Sequence, residues 1–539
     1  MGIEAAAGGR AEGKVTPWWE TRVCLALVVL ATMVPLIYPP LPPLVDLLGH
    51  MGHYRVELDV HHSAWLQQYY GFDWMPMGNL GVDLLIIPIA KLLGLEAAVK
   101  LIVLAIPPMT AIGMLWVARE VHGQIPPTIF FALPFIYGFP FLFGFVNFTL
   151  SVALAFLAFG LWLRLGRLDR TLLRAWLFVP ISLIVFFCHV YGWGLLGLMC
   201  FSAAAVRLLE RGSKWWRAAL AAALHVSVMG LPVLIIVLSP RATHTGGAAD
   251  WFDWTMKWRW IYAALRDRWG LYDMASLGFV ALVFLYATVT PELVLSRRLI
   301  FTAMVLAAAF LILPQLIFAS AYADMRLVPY FIAIAVLAIR PRRRTEIGPG
   351  QLLAAVGLLF FAGRTAANAA SLAIAANDQS AQLRAVDFLP TGARVASFYG
   401  LPESEPWALP RDSHLGALVI VRREGFSNDQ WITPGHNLLV LRYRQAGPFA
   451  SDPSEVVRPG SVPDRRYRTI DEALATVPRD KFDYIWLINV SPNDKRLLNN
   501  LLPVWRGAGS VLYRIPHQER PVASVQSAAS PDGQMGERR

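Results

Sequence analysis

The sequence predicts a mainly α-helical, polytopic membrane protein of about eleven transmembrane helices, followed by a smaller C-terminal α/β soluble domain. Three observations predict it. The 539 residues are 56% hydrophobic and 16% charged, with mean hydropathy +0.47, and the apolar residues fall in runs long enough to cross hydrocarbon. Arginines cluster in every second loop between those runs, while the short turns near Asn147 and Tyr191 carry none. Beyond residue 377 the long runs give way to short strand-like stretches with turn residues between them.

Spans are expected at about 21–38, 97–117, 127–143, 147–165, 175–190, 192–208, 218–238, 276–295, 299–318, 326–340 and 350–372. The stretch 127–165 is too long for one crossing and breaks at Gly144-Phe145-Val146-Asn147, which reads as a tight hairpin. Residues 79–95 are apolar on one side, short and interrupted by Pro88, so they are placed in the interface rather than across it. Residues 1–20 form a cytoplasmic N-terminus, and the first run lacks a small-residue cleavage site, which marks it as a retained span.

With that start, the inner loops carry Arg119, then Arg164, Arg167, Arg170 and Arg174. The groups 207–217, 297–298 and 340–344 follow on the same side. The turns near Asn147 and Tyr191 carry no lysine or arginine, whereas the longer loop 239–275 mixes both signs. Counting 79–95 as a span would move the arginines at 164–174 outside. An odd number of crossings leaves the C-terminal region extracytoplasmic, as in a bacterial inner-membrane protein. The domain organisation expected is thus a transmembrane domain at 21–377, whose outer loop is 39–96, an outer α/β domain at 378–520, and a disordered polar tail at 521–539. In the α/β domain, strands are expected at 394–398, 417–422, 437–443, 484–489 and 510–515, with helical or turn segments at 469–476 and 493–502.

Composition also excludes. The net charge of +11 sits mainly in loop arginines that set topology and meet headgroups, which argues against nucleic-acid binding. Cys24, Cys188 and Cys200 all lie in apolar segments without metal-type spacing. Neither GxxxxGK[ST] nor GxGxxG occurs, and no internal repeat is evident.

On this topology the unusual polar residues gather on the outer side. They are Asp46, His50 and Asn79 in the first loop, Asn147 at the hairpin, His189 between the fifth and sixth spans, and Tyr322, Asp324 and Arg326 between the ninth and tenth. Each has an ordinary reading: Asp46 caps a helix, His189 bonds backbone, Arg326 snorkels, and the tryptophans of 251–269 anchor at the interface. Together they make a reactive cleft at one face of the membrane.

These residues resemble the GT-C superfamily of integral-membrane glycosyltransferases. Members have seven to thirteen spans, an aspartate after the first span, two interfacial jaw helices, a late outer turn with arginine and proline, and often a soluble outer domain. Asp46, the segments 46–58 and 79–95, the turn Asp324-Met325-Arg326-Leu327-Val328-Pro329 and residues 378–520 match that plan. Leu47 stands where many relatives carry an acid, and Leu327 where tyrosine is common. The resemblance implies direct inverting transfer of a sugar from a polyprenyl-phosphate donor to a glycan, lipid or protein acceptor, among membrane lipids. Asp46 would act as general base and Arg326 would hold the leaving phosphate through paired hydrogen bonds. His50, one helical turn on, would orient the carboxylate or the acceptor.

His50, His53, His61 and His62 with Asp46, Glu57 and Asp59 form a pool large enough for a divalent ion, but no HExxH or CxxC pattern organises them, so no cofactor is expected. Two other classes remain open. A transporter or flippase of a lipid-linked or envelope glycan precursor would suit His225 and the mid-span Pro107-Pro108. A non-catalytic scaffold of a glycan assembly complex would use 378–520 as its binding module.

Overall fold

The computed structural model describes residues 16–238, 247–317, 320–342, 347–402, 407–432, 437–459 and 467–517. The expected tail at 521–539, the first fifteen residues, part of the loop 239–275, and Arg343 and Arg344 lie outside them.

The chain is an integral membrane protein: among the described residues six helices are long and apolar enough to cross a membrane, or seven if one bent pair is a single span. The expected eleven are not reached, and the reasons are local. The run 21–38 yields α1 (Arg22–Ala31) and a separate short turn at Val34–Ile37, broken where the Thr32 hydroxyl donates to the Val29 carbonyl and Pro35 follows. The run 127–143 is not a span-length helix but two 3-10 pieces, Pro127–Phe131 and Leu133–Tyr137, and a short helix, Phe139–Phe143. Prolines 126, 127, 134 and 140 remove N–H donors and disfavour the α region for the residues before them, and the run breaks into these three pieces.

The segments expected at 46–58 and 79–95 are helical, α2 (Leu47–Asp59) and α3 (Gly81–Leu93). The bundle follows with α4 (Leu95–His122), α5 (Val146–Arg167), α6 (Thr171–Cys188) and α7 (Val190–Glu210). α8 (Trp215–Val226) continues to Met229 and then bends by 64° into α9 (Leu231–Leu238) at Gly230 and Pro232. α10 (Gly270–Val289), α11 (Arg297–Ile312) and α12 (Val328–Leu337) follow. The long α13 (Ile347–Leu383) runs through the expected boundary at 377 without a break. α5 packs on α4, α6 and α7, and α7 on α11, so the beginnings of α5 and α7 lie at one end of the bundle and their arginine-bearing C-termini at the other.

The C-terminal region holds a seven-stranded mixed sheet, which supplies the α/β character expected. β1 (Tyr70–Phe72) belongs to the first loop, and β2 (Arg394–Gly400) is central to the sheet. β2 pairs in parallel with β3 (Phe426–Ser427), β5 (Val456–Arg458) and β7 (Tyr484–Ile488). β6 (Arg468–Thr469) extends the sheet beyond β5; β8 (Leu502–Gly507) and β9 (Ser510–Arg514) form the antiparallel far edge. The remaining strand, β4 (Leu439–Leu441), leaves this sheet and pairs with β1, Tyr70 opposite Leu441 and Phe72 opposite Leu439.

One expected strand is helical. Residues 417–422 form the end of a 3-10 turn, Leu415–Ala417, and then α14 (Leu418–Arg423). A short continuous apolar run cannot be told from a buried helix by periodicity, and tertiary packing decides. α14 packs on α2 and buries Leu418, Val419, Ile420 and Val421, each worth about 1.5–3 kcal/mol when removed from water. α15 (Ile470–Thr476), expected from its sequence, begins with a complete capping box between Thr469 and Glu472.

A cleft where the first loop meets the C-terminal region

The segment before α2 is fixed first. The Val45 and Asp46 backbone N–H groups donate to the Leu142 and Phe143 carbonyls at 3.3 and 2.9 Å. Gly144 makes this approach practicable: it sits at φ +101°, and a Cβ there would lie 2.7 Å from the Asp46 nitrogen. Arg411 completes the fastening, donating to the Pro43 carbonyl and pairing with Asp267 at 2.5 Å.

Held this way, Asp46 opens α2 without capping it, since its side chain takes no backbone hydrogen bond from the first turn. The carboxylate faces the cleft with 15% of its side chain exposed, and its partner is His414. Nε2 of His414 lies 3.8 Å from the Asp46 carboxylate, and Nδ1 donates to Asp429 at 2.5 Å. Asp429 also accepts the Ala417 N–H at 3.0 Å. Burial pushes Asp46 up to about 7, against the pull of His414 and Arg326. Burial disfavours the His414 cation, but the Asp429 charge and hydrogen bond, with Asp46 beyond them, raise it to about 9. The cleft therefore holds a histidine that favours its protonated form beside a carboxylate whose proton affinity burial has raised toward neutrality.

The sequence pointed to His50 as that carboxylate's helper. The structure instead lays the His50 ring 5.1 Å from Trp431, with His414 on the same indole at 4.7 Å. Burial lowers His50 to about 4, so it is neutral. Gly49 and Gly52 let this packing occur: Cβ atoms there would lie 2.5 Å from the Trp431 ring and from the Gln430 amide.

Arg326 comes from the late turn. Asp324 caps that turn and pairs with buried Lys257 at 3.0 Å, while Lys257 also donates to the Phe310 and Leu313 carbonyls. Tyr322 holds the left-handed φ of 60°, uncommon for a bulky residue, with its ring against Trp260 and Phe143. Both shape the turn that aims Arg326. Its guanidinium lies 4.4 Å over the Phe145 ring, two residues from the carbonyl that fixes Asp46, and 4.9 Å from Tyr191. Nη1 is 3.0 Å from His189 Nε2, and Nη2 reaches Ser320 Oγ and the Ala321 carbonyl at 3.3 Å. Among the described residues no carboxylate lies within ion-pairing distance of Arg326, and Nε is unpartnered.

Asn147 and Asn79 stand apart, as a brace. Asn147 accepts the Val82 N–H at 2.6 Å and donates to the Asn79 carbonyl and to Asp83, both at 3.2 Å. Asp83 in turn accepts from His53 at 2.9 Å. Two buried trios are close enough to share a divalent cation: His53, Glu57 and Asp83, and His414, Asp429 and Glu455. Their present geometry is that of hydrogen bonds between histidine and aspartate. His61 and His62, by contrast, are exposed.

His414, Asp429, Trp431 and Lys257 were not foreseen. The signal lay in two polar strings, Arg411-Asp412-Ser413-His414 and Ser427-Asn428-Asp429-Gln430, which flank an apolar run too hydrophobic to be solvent-exposed and so must be buried with it.

Fold and cleft together define an integral membrane protein whose bundle carries a buried acid–histidine–arginine site at one end. No protein-family model matches the chain, and no curated protein matches it. Two solved structures are similar to it at low identity. ArnT from Cupriavidus metallidurans in the apo state is 12% identical, with TM-score 0.47, over 91% of this chain and 96% of its own. The same protein bound to undecaprenyl phosphate is 11% identical, with TM-score 0.46 and the same coverage. So loose a likeness carries none of the reasoning that follows.

Proposed function

We propose that this protein is an integral-membrane glycosyltransferase of GT-C type, in which Asp46 takes the proton of an acceptor hydroxyl while Arg326 and His189 hold the phosphate of a polyprenyl-phosphate sugar. The observation that carries the reading is the contact between Arg326 and His189. The His189 Nδ1 accepts the Tyr191 N–H at 3.1 Å, so a neutral ring keeps its proton on Nε2. That N–H then faces a guanidinium donor 3.0 Å away, two donors without an acceptor between them. A phosphate oxygen is the acceptor that satisfies both, and guanidinium favours it.

Asp46 supplies the complementary half. Its proton affinity near neutrality suits a general base, and the His414 cation beside it keeps the carboxylate ionised and ready for the acceptor proton. Attack on the anomeric carbon forms a bond to the acceptor oxygen and breaks the bond to the phosphate oxygen; the leaving phosphate keeps the electron pair beside Arg326, and the acceptor proton ends on Asp46. The acceptor is a glycan, a lipid or a protein, and the cleft lies on the extracytoplasmic side with the N-terminus inside.

Purified protein supplied with a polyprenyl-phosphate sugar and a panel of envelope acceptors tests the reading. Loss of the donor with formation of a glycosylated product is expected; an intact donor under all acceptors, with transport of the lipid in sealed vesicles, would favour the flippase instead. A reporter active only outside the cytoplasm should be silent after Arg174 and active after Asn377.

A further inference from the structure

The end of the bundle away from Asp46 holds a cavity of about 300 Å³. It lies among the C-termini of α4, α5 and α7 and the N-termini of α6 and α11, and five arginines line it against two glutamates. Four of the five have acidic partners. Arg167 pairs with Glu120 and Arg298 with Glu210, both at 2.8 Å; Arg207 and Arg211 share Asp169 at 2.7 and 3.6 Å.

The fifth, Arg174, does not. It is 7% exposed, and its guanidinium stacks 4.0 Å from the ring of Trp162, itself 2% exposed. Among the described residues it has neither a carboxylate partner nor a hydrogen-bond acceptor, although it lines the cavity. Gly166 leaves the guanidinium its space, since a Cβ there would lie 3.1 Å from its Nη1. A cation drawn out of water without a counter-charge costs several kcal/mol, and the neighbouring arginines increase that cost. Five arginines thus meet three carboxylates, and Arg174 is the one that meets none.

We propose that this cavity is a binding site for a phosphate group, gripped by Arg174 through paired hydrogen bonds with Arg207 and Arg211 as further donors. More than one arginine converging on one small space suits the several oxygens of a phosphate better than a single carboxylate. The phosphate comes either from an anionic phospholipid headgroup or from solution. α6 presents Leu172, Leu173 and Trp176 outward beside Arg174, an apolar and aromatic surface next to a basic cluster of the kind that favours an anionic lipid surface. The site is independent of the transferase reading.

The test uses the full chain, delipidated in detergent and offered phosphatidylglycerol, phosphatidylcholine or inorganic phosphate, with retained lipid read by native mass spectrometry and stability by melting. Wild type should retain phosphatidylglycerol over phosphatidylcholine by about tenfold, the scale of one charge-assisted hydrogen-bonded contact. Arg174→Gln should erase that preference, while Arg164→Gln, which removes a positive charge from the same end but outside the cavity, should keep it. Should Arg174→Gln fail to fold, Arg211→Gln at the cavity rim carries the same test. A melting shift by millimolar inorganic phosphate, lost in the same variant, would assign the site to soluble phosphate; retention of phosphatidylglycerol with no such shift would assign it to lipid. A folded Arg174→Gln protein that retains phosphatidylglycerol as wild type does overturns the proposal. So does a wild type that responds to neither phosphatidylglycerol nor phosphate.

Discussion

At the Asp46 end of the bundle, the ionisable groups are carboxylates and imidazoles drawn from distant parts of the chain: Asp46 from the first loop, His414 and Asp429 from the C-terminal region, Arg326 from the late turn. At the other end they are arginines held by acids from neighbouring helix ends, such as Arg167 with Glu120 and Arg298 with Glu210. In the second set at least one member of each pair reaches water, Arg167 against a buried Glu120 and Asp169 against Arg207, so screening keeps the pairs of modest worth in stability. The first is buried, and burial moves Asp46 and His414 toward values useful for moving protons. The difference teaches that abundance of charge and perturbed proton affinity lie at opposite ends of the bundle, and that desolvation makes the second.

Removing the proton acceptor should test this most severely. Asp46→Asn keeps the shape of the side chain, so sugar transfer by the purified protein should fall by at least about a hundredfold while its melting temperature stays near wild type. Unchanged transfer by a folded variant would move the chemistry elsewhere. Arg326→Lys comes next: the charge survives but the two-pronged geometry is lost, so KM for the donor should rise by about tenfold with a smaller change in kcat. An effect on acceptor KM alone would contradict the phosphate role.

The pH dependence sharpens the comparison further. Asp46 must be ionised to act, so kcat/KM should climb through an acid limb centred near pH 7 and fall away below it. His414→Gln removes a positive neighbour that favours the carboxylate, so the limb should move to higher pH and activity at pH 7 should drop by roughly tenfold. A limb that stays in place would show that His414 does not act on Asp46. The smallest effect belongs to the arginine end: Arg164→Gln should leave transfer within about twofold of wild type, since Arg164 is half exposed, sits 3.6 Å from Glu120, and leaves that acid its closer partner Arg167.

Much of the architecture was legible because membranes impose simple rules. Runs of apolar residues revealed the helices, Pro88 and one-sided hydrophobicity revealed α3, and Asp46 was conspicuous after the first run. Length and helix continuity were less legible: prolines at 126–140 are visible, yet whether they kink a span or dissolve it depends on packing. The partner of Asp46 was hidden for a different reason. Helical periodicity brings His50 near in sequence, but Gly49 and Gly52 open that face of α2 to Gln430 and Trp431, and only the folded chain brings His414 to the carboxylate. Glycine spacing on α2 announces that something will pack there without saying what.

The bond from Arg411 to the Pro43 carbonyl has a consequence for biosynthesis. Asp46 leaves the ribosome early and enters the membrane with the first helices, whereas Arg411, His414 and Asp429 are translated after α13 is complete. A partly synthesised chain, already inserted among its lipids, therefore has its acid but neither the clasp that fixes it nor the imidazole that tunes it. The cleft comes into being only as synthesis nears its end, and a chain truncated after α13 holds Asp46 in the membrane without its partners.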